Sequence, residues 1–350
     1  MNPIPQPPSP IPAKLMLRAP NWVGDVVMSL PALQHLRKAL PETEIVVVAR
    51  NWVADLYNAM GGTALADRVL AHDPQAGRGA LVRQLRAERF DAALLLPNSF
   101  DAAWVAWRAG IPQRWGYARD GRSPLLTRAI PAPRTGEIPT HQAYYYLELL
   151  RRLGLMESFP MVGGLVLSSP IPHPPSPPTV VGLNPGAAYG TAKRWFPARY
   201  VELGRRLRDE RGAEIVLFGA ASERDLAERI ASGIGAGARS TAGQTTLAEF
   251  VKLVAGCHLF VTNDTGTMHV AAAMGVPVLA IFGATDERAT APLGPRVHLI
   301  KKAVPCSPCL LRHCPVDHRC MSEIPVSEVF ETACQILNAV RPSSSTVTAR

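Results

Sequence analysis

The stretch from Leu259 to Gly283 limits the fold more than any other part of the chain. Leu259–Thr262 and Val276–Phe282 are apolar runs of strand length, and Thr267–Met274 between them has the make-up of a short helix. Gly275 is placed to end that helix, because a residue without a Cβ takes the left-handed cap at no steric cost. Strand, turn, helix and strand in that order are the building block of a parallel α/β sheet. The turn, Asn263-Asp264-Thr265-Gly266, lies where a strand hands over to a helix. There the backbone N–H groups and the positive helix end face the crevice in which α/β proteins bind ligands. Thr265, Gly266 and Thr267 are small enough to let an anion approach. Asp264 would repel a phosphate, so it is expected to accept hydrogen bonds from sugar hydroxyls. His269 falls about one helical turn further on, on the side toward the ligand. A capped helix with a histidine in the core accounts for the same residues equally well.

At 350 residues the chain is too long for one ordinary core and suits two domains. Its formal net charge of +9 points to an anionic partner: nucleic acid, a membrane surface or a phosphorylated substrate. No uncharged run reaches the ~20 apolar residues of a transmembrane helix, and Gly275 and Pro277 interrupt the longest one. Residues 1–13 are Pro-rich, with neither the basic start nor the apolar core of a secretory signal. They are expected to be a disordered tail on a cytoplasmic protein, and 343–350 a second disordered tail.

Leu15–Ala19 reads as a strand that runs into Pro20-Asn-Trp-Val-Gly-Asp25, and Leu33, Leu36 and Leu40 then fall at helical spacing. Pro31 is tolerable in a first turn, so the regular helix is expected to begin near Ser29. Asp25 then sits at the junction of strand and helix, either as a helix cap or as a reactive carboxylate. Glu44–Ala49 and Ala92–Leu96 are further buried strands, giving the rhythm of a doubly wound parallel sheet. A basic region follows, with Arg108, Arg114, Arg119, Arg122, Arg128 and Arg134 among Trp104, Trp107, Trp115 and Tyr117. Arginine clusters suit bidentate capture of phosphate or carboxylate, although such a run is often only a solvated face. His141–Leu153 reads as a helix whose Tyr144-Tyr145-Tyr146 stripe is assigned to packing.

Ser168–Thr179 is dense in proline and marks a semi-rigid linker between the two halves. Beyond it strands recur at Val180–Asn184 and Glu214–Phe218. The loop Pro185-Gly-Ala-Ala-Tyr-Gly-Thr-Ala-Lys-Arg-Trp195 resembles a phosphate cradle without the P-loop spacing. Glu223, in the next strand-to-helix turn, is placed either to meet a ribose or to interact with a helix dipole. Cys306, Cys309, Cys314 and Cys320, with His313 and His318 among them, have the density of a structural zinc site, or are free thiols. Cys257 and Cys334 are assigned to the core.

Taken together, Asn21-Trp-Val-Gly-Asp25, Leu96-Pro-Asn-Ser-Phe100, the 185–195 loop, Phe218-Gly219 and Thr262-Asn-Asp-Thr-Gly-x-Met-His269 resemble the family 9 glycosyltransferases over about residues 14–340. The resemblance implies a GT-B fold, α/β with two Rossmann-like domains facing across a cleft. The acceptor would bind the domain at 14–167 and ADP-heptose the domain at 180–342. The members it resembles most add the second L-glycero-D-manno-heptose of the lipopolysaccharide inner core to heptosyl-Kdo2-lipid A, with inversion, at the cytoplasmic face of the inner membrane. Carried over residue by residue, the resemblance makes Asp25 the general base and Lys193 a phosphate ligand. It puts Ala188, Tyr189, Glu223, Thr245, Asp264, Thr265, Gly266 and His269 around the donor, and Asn98, Arg114, Arg119 and Arg122 around the acceptor. Part of the family lacks the cysteine cluster, so the chemistry is not expected to need it.

The residues agree with such a reaction. An inverting transfer needs a base for the acceptor hydroxyl and positive groups for the departing diphosphate. No Asp-x-Asp is present to hold a divalent cation, so Lys193 and the helix start at Thr265–Thr267 are expected to meet that charge, with no cofactor required. The expected partner is the lipid-borne acceptor at the membrane surface, not nucleic acid. Three alternatives remain: transfer of the first heptose to Kdo2-lipid A, a nucleotide-sugar epimerase, and a lipopolysaccharide-binding protein without catalysis.

Overall fold

The structure, a computed structural model, describes residues 6–60, 65–160 and 178–340. Most of the Pro-rich linker and all of 343–350 lie outside the described residues, as do residues 1–5 of the amino-terminal stretch. Residues 6–13 of that stretch are described, with Pro8 and Pro12 buried, and the Gln6 carbonyl accepts from Arg128 Nη2 at 3.0 Å. The chain forms two compact units divided at 165/166, with Arg288–Thr290 counted to the first.

The first unit runs β1 (Lys14–Arg18), α1 (Val23–Ala39), β2 (Glu44–Arg50), α2 (Asn51–Ala59), β3 (Arg68–His72), α3 (Gly77–Glu88), β4 (Ala92–Leu95), α4 (Phe100–Arg108), β5 (Gln113–Tyr117), β6 (Arg128–Ile130) and α5 (Gln142–Arg152). Its described strands form one sheet in the order β3-β2-β1-β4-β5-β6, every neighbouring pair parallel. The central strands are uninterrupted apolar runs such as Ile45-Val46-Val47-Val48, fully buried because helices cover both faces of a parallel sheet.

The second unit repeats the plan with β7 (Thr179–Asn184), α6 (Pro197–Arg211), β8 (Ala213–Leu217), α7 (Arg224–Ile234), β9 (Ala238–Ser240), α8 (Leu247–Ala255), β10 (Leu259–Asn263), α9 (Gly266–Ala273) and β11 (Val278–Phe282). The short helix α10 (Glu287–Thr290) precedes β12 (Val297–Lys301), and α11 (Arg319–Ser322) and α12 (Val326–Val340) follow. The sheet order is β9-β8-β7-β10-β11-β12, again all parallel. Numbered within its own unit, each sheet reads 3-2-1-4-5-6, the doubly wound Rossmann order. Gly275 closes α9 at φ +75°, in the left-handed region expected of it.

Two sequence expectations change here. The first helix starts at Val23 rather than near Ser29, so Pro31 lies inside it and Asp25 occupies its first turn. The helix runs on through the missing Pro31 N–H, and in the turn before the proline the Ser29 hydroxyl donates to the Val26 carbonyl at 2.7 Å. The basic region is also not all surface: it contains β5 and β6, and Trp115 and Tyr117 belong to the core.

Candidate active site

In a doubly wound sheet the ligand crevice opens at the carboxyl ends of the strands that flank the reversal of strand order. In the second unit those strands are β7 and β10, and the loops leaving them carry the 185–195 and 263–267 motifs. Asn263 joins the two loops. Its Oδ1 accepts from the Trp195 amide and the Tyr200 hydroxyl, both at 3.0 Å, while its Nδ2 donates to the Pro185 carbonyl at 2.7 Å. Asn184, at the end of β7, donates from Nδ2 to the Thr267 hydroxyl at 2.6 Å.

This lattice places Lys193 Nζ 2.7 Å from Asp264 Oδ2, with both side chains largely buried, and the Thr285 hydroxyl donates to the same oxygen. Asp264 is therefore not an isolated negative charge at the helix start, because Lys193 neutralises it. Lys193 also lies over the Tyr189 ring, 4.9 Å from its centroid, and Arg312 lies 5.2 Å from the same centroid. Thr265 is the N-cap of α9 and makes no side-chain capping bond, so the alternative of a side-chain-capped helix is not realised at this turn. The first N–H groups of an α-helix have no partner within the helix. Gly266 and Thr267 are the first two residues of α9. His269 is buried within α9, and Ala188 and Tyr189 are exposed on the loop.

Glu223 makes the helix-start contact considered for it. Its Oε2 accepts from the Ala220 amide at 3.0 Å, a helix-start contact, whereas its Oε1 is buried with no hydrogen-bond partner and stands 3.9 Å from Arg194 Nη2. A Cβ on Gly186 would run into this carboxylate, so the cradle glycine leaves room for Glu223. Thr245 is half-buried immediately before Thr246, which caps α8 in a reciprocal arrangement with Glu249.

In the first unit the equivalent strands are β1 and β4. Asp25, in the first turn of the helix leaving β1, accepts a hydrogen bond from the Tyr146 hydroxyl at 3.0 Å. Burial pushes the Asp25 carboxyl above the ordinary carboxylate range, and the Tyr146 bond holds it partly down. The cap of this helix is Trp22, which makes no side-chain capping bond, so Asp25 is not the N-cap. Tyr146, assigned from sequence to packing, is thus the hydrogen-bond partner of the candidate base. The aromatic stripe is visible in the sequence, but its partner, 121 residues away, is not.

The acceptor arginines divide. Arg122 is fully buried: Nε donates to the Tyr117 carbonyl at 2.9 Å, Nη1 to the Pro97 carbonyl, and Nη2 to Asn98 Oδ1 at 3.5 Å. Burial lowers its pKa to about 10. Arg114 donates from Nε to the Leu125 carbonyl at 2.6 Å and from Nη1 to the Ile111 carbonyl at 2.5 Å. Both guanidiniums donate to carbonyls of the protein's own loops. Arg119 is exposed, and Asn98 is half-buried with Nδ2 donating to the Tyr145 hydroxyl at 2.9 Å.

Among the described residues no three His, Cys, Asp or Glu side chains converge to hold a metal ion. Cys306, Cys309, Cys314 and Cys320 are free thiols. Burial first, then the neighbouring cysteines, pushes the Cys320 thiol up to about 11. Also among the described residues, no helix is long and apolar enough to cross a membrane.

A family model described as glycosyltransferase family 9 (heptosyltransferase) matches residues 78–319. Lipopolysaccharide heptosyltransferase 2 of Escherichia coli K12 is 33% identical over 313 residues, covering 82% of this chain and 88% of that protein. Lipooligosaccharide heptosyltransferase 2 of Haemophilus influenzae is 30% identical, with coverage of 82% and 88%. The solved structure of E. coli ADP-heptose LPS heptosyltransferase II superposes with a TM-score of 0.78 at 29% identity, covering 94% of this chain and all of that one.

Proposed function

The chain belongs to glycosyltransferase family 9, and we propose that it transfers L-glycero-D-manno-heptose from ADP-heptose to the first heptose of the lipopolysaccharide inner core. The observation that carries the reading is the buried Lys193–Asp264 pair at the start of α9, in a chain whose relatives are named heptosyltransferase 2. The neutralised helix start can accept a diphosphate that a lone Asp264 would repel. As the bond from the heptose anomeric carbon to the diphosphate oxygen breaks, the Lys193 ammonium and the first N–H groups of α9 meet the charge that develops on the leaving group. Glu223 Oε1, buried beside Arg194 and without a hydrogen-bond partner, suits the ribose hydroxyls.

Asp25 takes the proton from the acceptor hydroxyl as that oxygen attacks the anomeric carbon from the side opposite the diphosphate, which inverts the configuration. Its raised pKa makes it a stronger base than an ordinary carboxylate. Arg119 is the arginine of the expected acceptor set that remains exposed for an anionic acceptor. The acceptor is borne on a lipid, so the enzyme works at the membrane surface.

The experiment is incubation of the protein with ADP-heptose and heptosyl-Kdo2-lipid A, followed by mass spectrometry of the lipid. One added heptose with release of ADP is expected. Addition to Kdo2-lipid A alone would assign transfer of the first heptose instead. Free sugar without acceptor modification would assign an epimerase-type reaction.

A further inference from the structure

The cysteine-rich segment 306–320 has no part in the reaction just described, yet it is bonded to the turn that carries Lys193. We propose that this segment braces the diphosphate-binding turn and that His318 is a positioning residue for Lys193, a reading that rests on Lys193 meeting the diphosphate.

The residue before Lys193 has both of its backbone groups taken by the segment. The Ala192 N–H donates to the Arg312 carbonyl at 3.0 Å, and the Ala192 carbonyl lies 2.9 Å from His318 Nε2. A carbonyl can only accept, so His318 carries the proton on Nε2 and donates it. Either side of this clamp, the Thr191 hydroxyl is 3.0 Å from His313 Nδ1, and the Tyr189 hydroxyl donates to the Leu310 carbonyl at 2.9 Å.

Two further features show how tightly the parts are fitted. A Cβ on Gly190 would run into the Arg312 carbonyl, so the two backbones approach at a distance that only glycine permits. His318 itself is held at φ +54°, a left-handed conformation that a non-glycine residue keeps only where its surroundings fix it. The ring of Phe196, just beyond Lys193, meets the His318 ring edge-on with centroids 5.6 Å apart.

A lysine ammonium sits at the end of four methylenes, and its position over a diphosphate is set by where its Cα is anchored. In the 3-10 turn Thr191–Lys193 the segment supplies that anchor on the amino-terminal side of Lys193, at Ala192, while Asn263 holds the chain beyond it at the Trp195 amide. The brace accounts for Gly190, which the motif alone would assign to phosphate contact. It also gives the segment a use that needs no metal.

The test combines His318→Ala and His318→Gln with Lys193→Met, reading ADP affinity by calorimetry, turnover with ADP-heptose and melting temperature. Misplacing the ammonium by about 1 Å can cost up to ~10²-fold, so His318→Ala is expected to lower turnover on the order of 10-fold and to weaken ADP binding. His318→Gln is expected to restore most of both, because its amide can donate at a similar reach. In the Lys193→Met background the loss from His318→Ala should shrink to about 2-fold or less, since partners in one network are not additive. If Lys193→Met leaves ADP affinity and turnover unchanged, the assignment of Lys193 is wrong. If Lys193→Met is impaired but His318→Ala is normal, or is equally harmful in both backgrounds, the brace is wrong. Should His318→Ala fail to fold, Thr191→Val, which deletes only the His313 contact, undergoes the same comparison under the same criterion.

Discussion

Replacement of Asp25 by asparagine separates chemistry from architecture, because the carboxyl is desolvated by burial and accepts a hydrogen bond from Tyr146. Asparagine keeps an oxygen to accept the Tyr146 hydroxyl at 3.0 Å, so the packing of α1 against α5 need not change. The variant also removes a buried charge. Folding has raised the Asp25 pKa, so its ionised form costs stability at neutral pH, and that cost disappears as pH falls through the folded pKa toward the unfolded one. Asp25→Asn is therefore expected to melt at the wild-type temperature or above it at pH 7, with the difference fading in acid. Loss of a general base removes about 10²–10⁴-fold in turnover, equivalent to about 2.7–5.4 kcal/mol of barrier at ~1.36 kcal/mol per decade. The assay is steady-state turnover against ADP-heptose and acceptor, with ADP affinity and thermal unfolding measured on the same preparation. In the wild type the acid limb of the pH–rate profile should lie above that of an ordinary carboxylate. Tyr146→Phe removes the bond that favours the charged form, so it should move that limb to still higher pH. Turnover retained in Asp25→Asn, or an acid limb unmoved by Tyr146→Phe, refutes Asp25 as the base.

Lys193→Met should lower turnover on the order of 10²–10³-fold, as loss of a preorganised electrostatic group does. It also strands Asp264, at a cost of about 3–5 kcal/mol, and adding Asp264→Asn should recover the stability but not the turnover; recovered turnover would count against the diphosphate role. Arg122→Ala should destabilise by leaving the Pro97 carbonyl without its donor, about 1–3 kcal/mol, without a selective effect on acceptor KM. Arg119→Glu should raise acceptor KM and leave that for ADP-heptose unchanged, and an effect confined to the donor would move the acceptor site elsewhere. Thiol labelling at neutral pH should modify exposed Cys306 early, and reach Cys320 and Cys257 only on unfolding, because burial pushes their thiols up to about 11 and about 12. Protection of all four clustered thiols with stoichiometric metal release would restore the zinc reading.

Residue order along the chain is enough to define the sheet interiors and the junctions that bear the chemistry. Runs such as Ile45–Val48 and Leu279–Phe282 have no polar face to offer water, and at strand length they read as inner strands of covered parallel sheets. The short strands β5, β6 and β9 are not legible in this way. β6 and β9 are edge strands, where half-solvated positions tolerate polar residues such as Arg128 and Arg239, and β5 opens on Gln113 and Arg114, so no apolar run marks them.

Which side chains meet is a matter of topology. Local propensity depends on neighbours along the chain, whereas hydrogen-bond partners depend on strand order, which brings β7 beside β10 and β1 beside β4. That order pairs Lys193 with Asp264, while the helix and segment that follow the last strand of each sheet fold back to pair Tyr146 with Asp25 and His318 with Ala192. It also buries Arg122 in a region whose charge reads as solvated, because the Pro97 carbonyl needs a donor that the sheet does not supply.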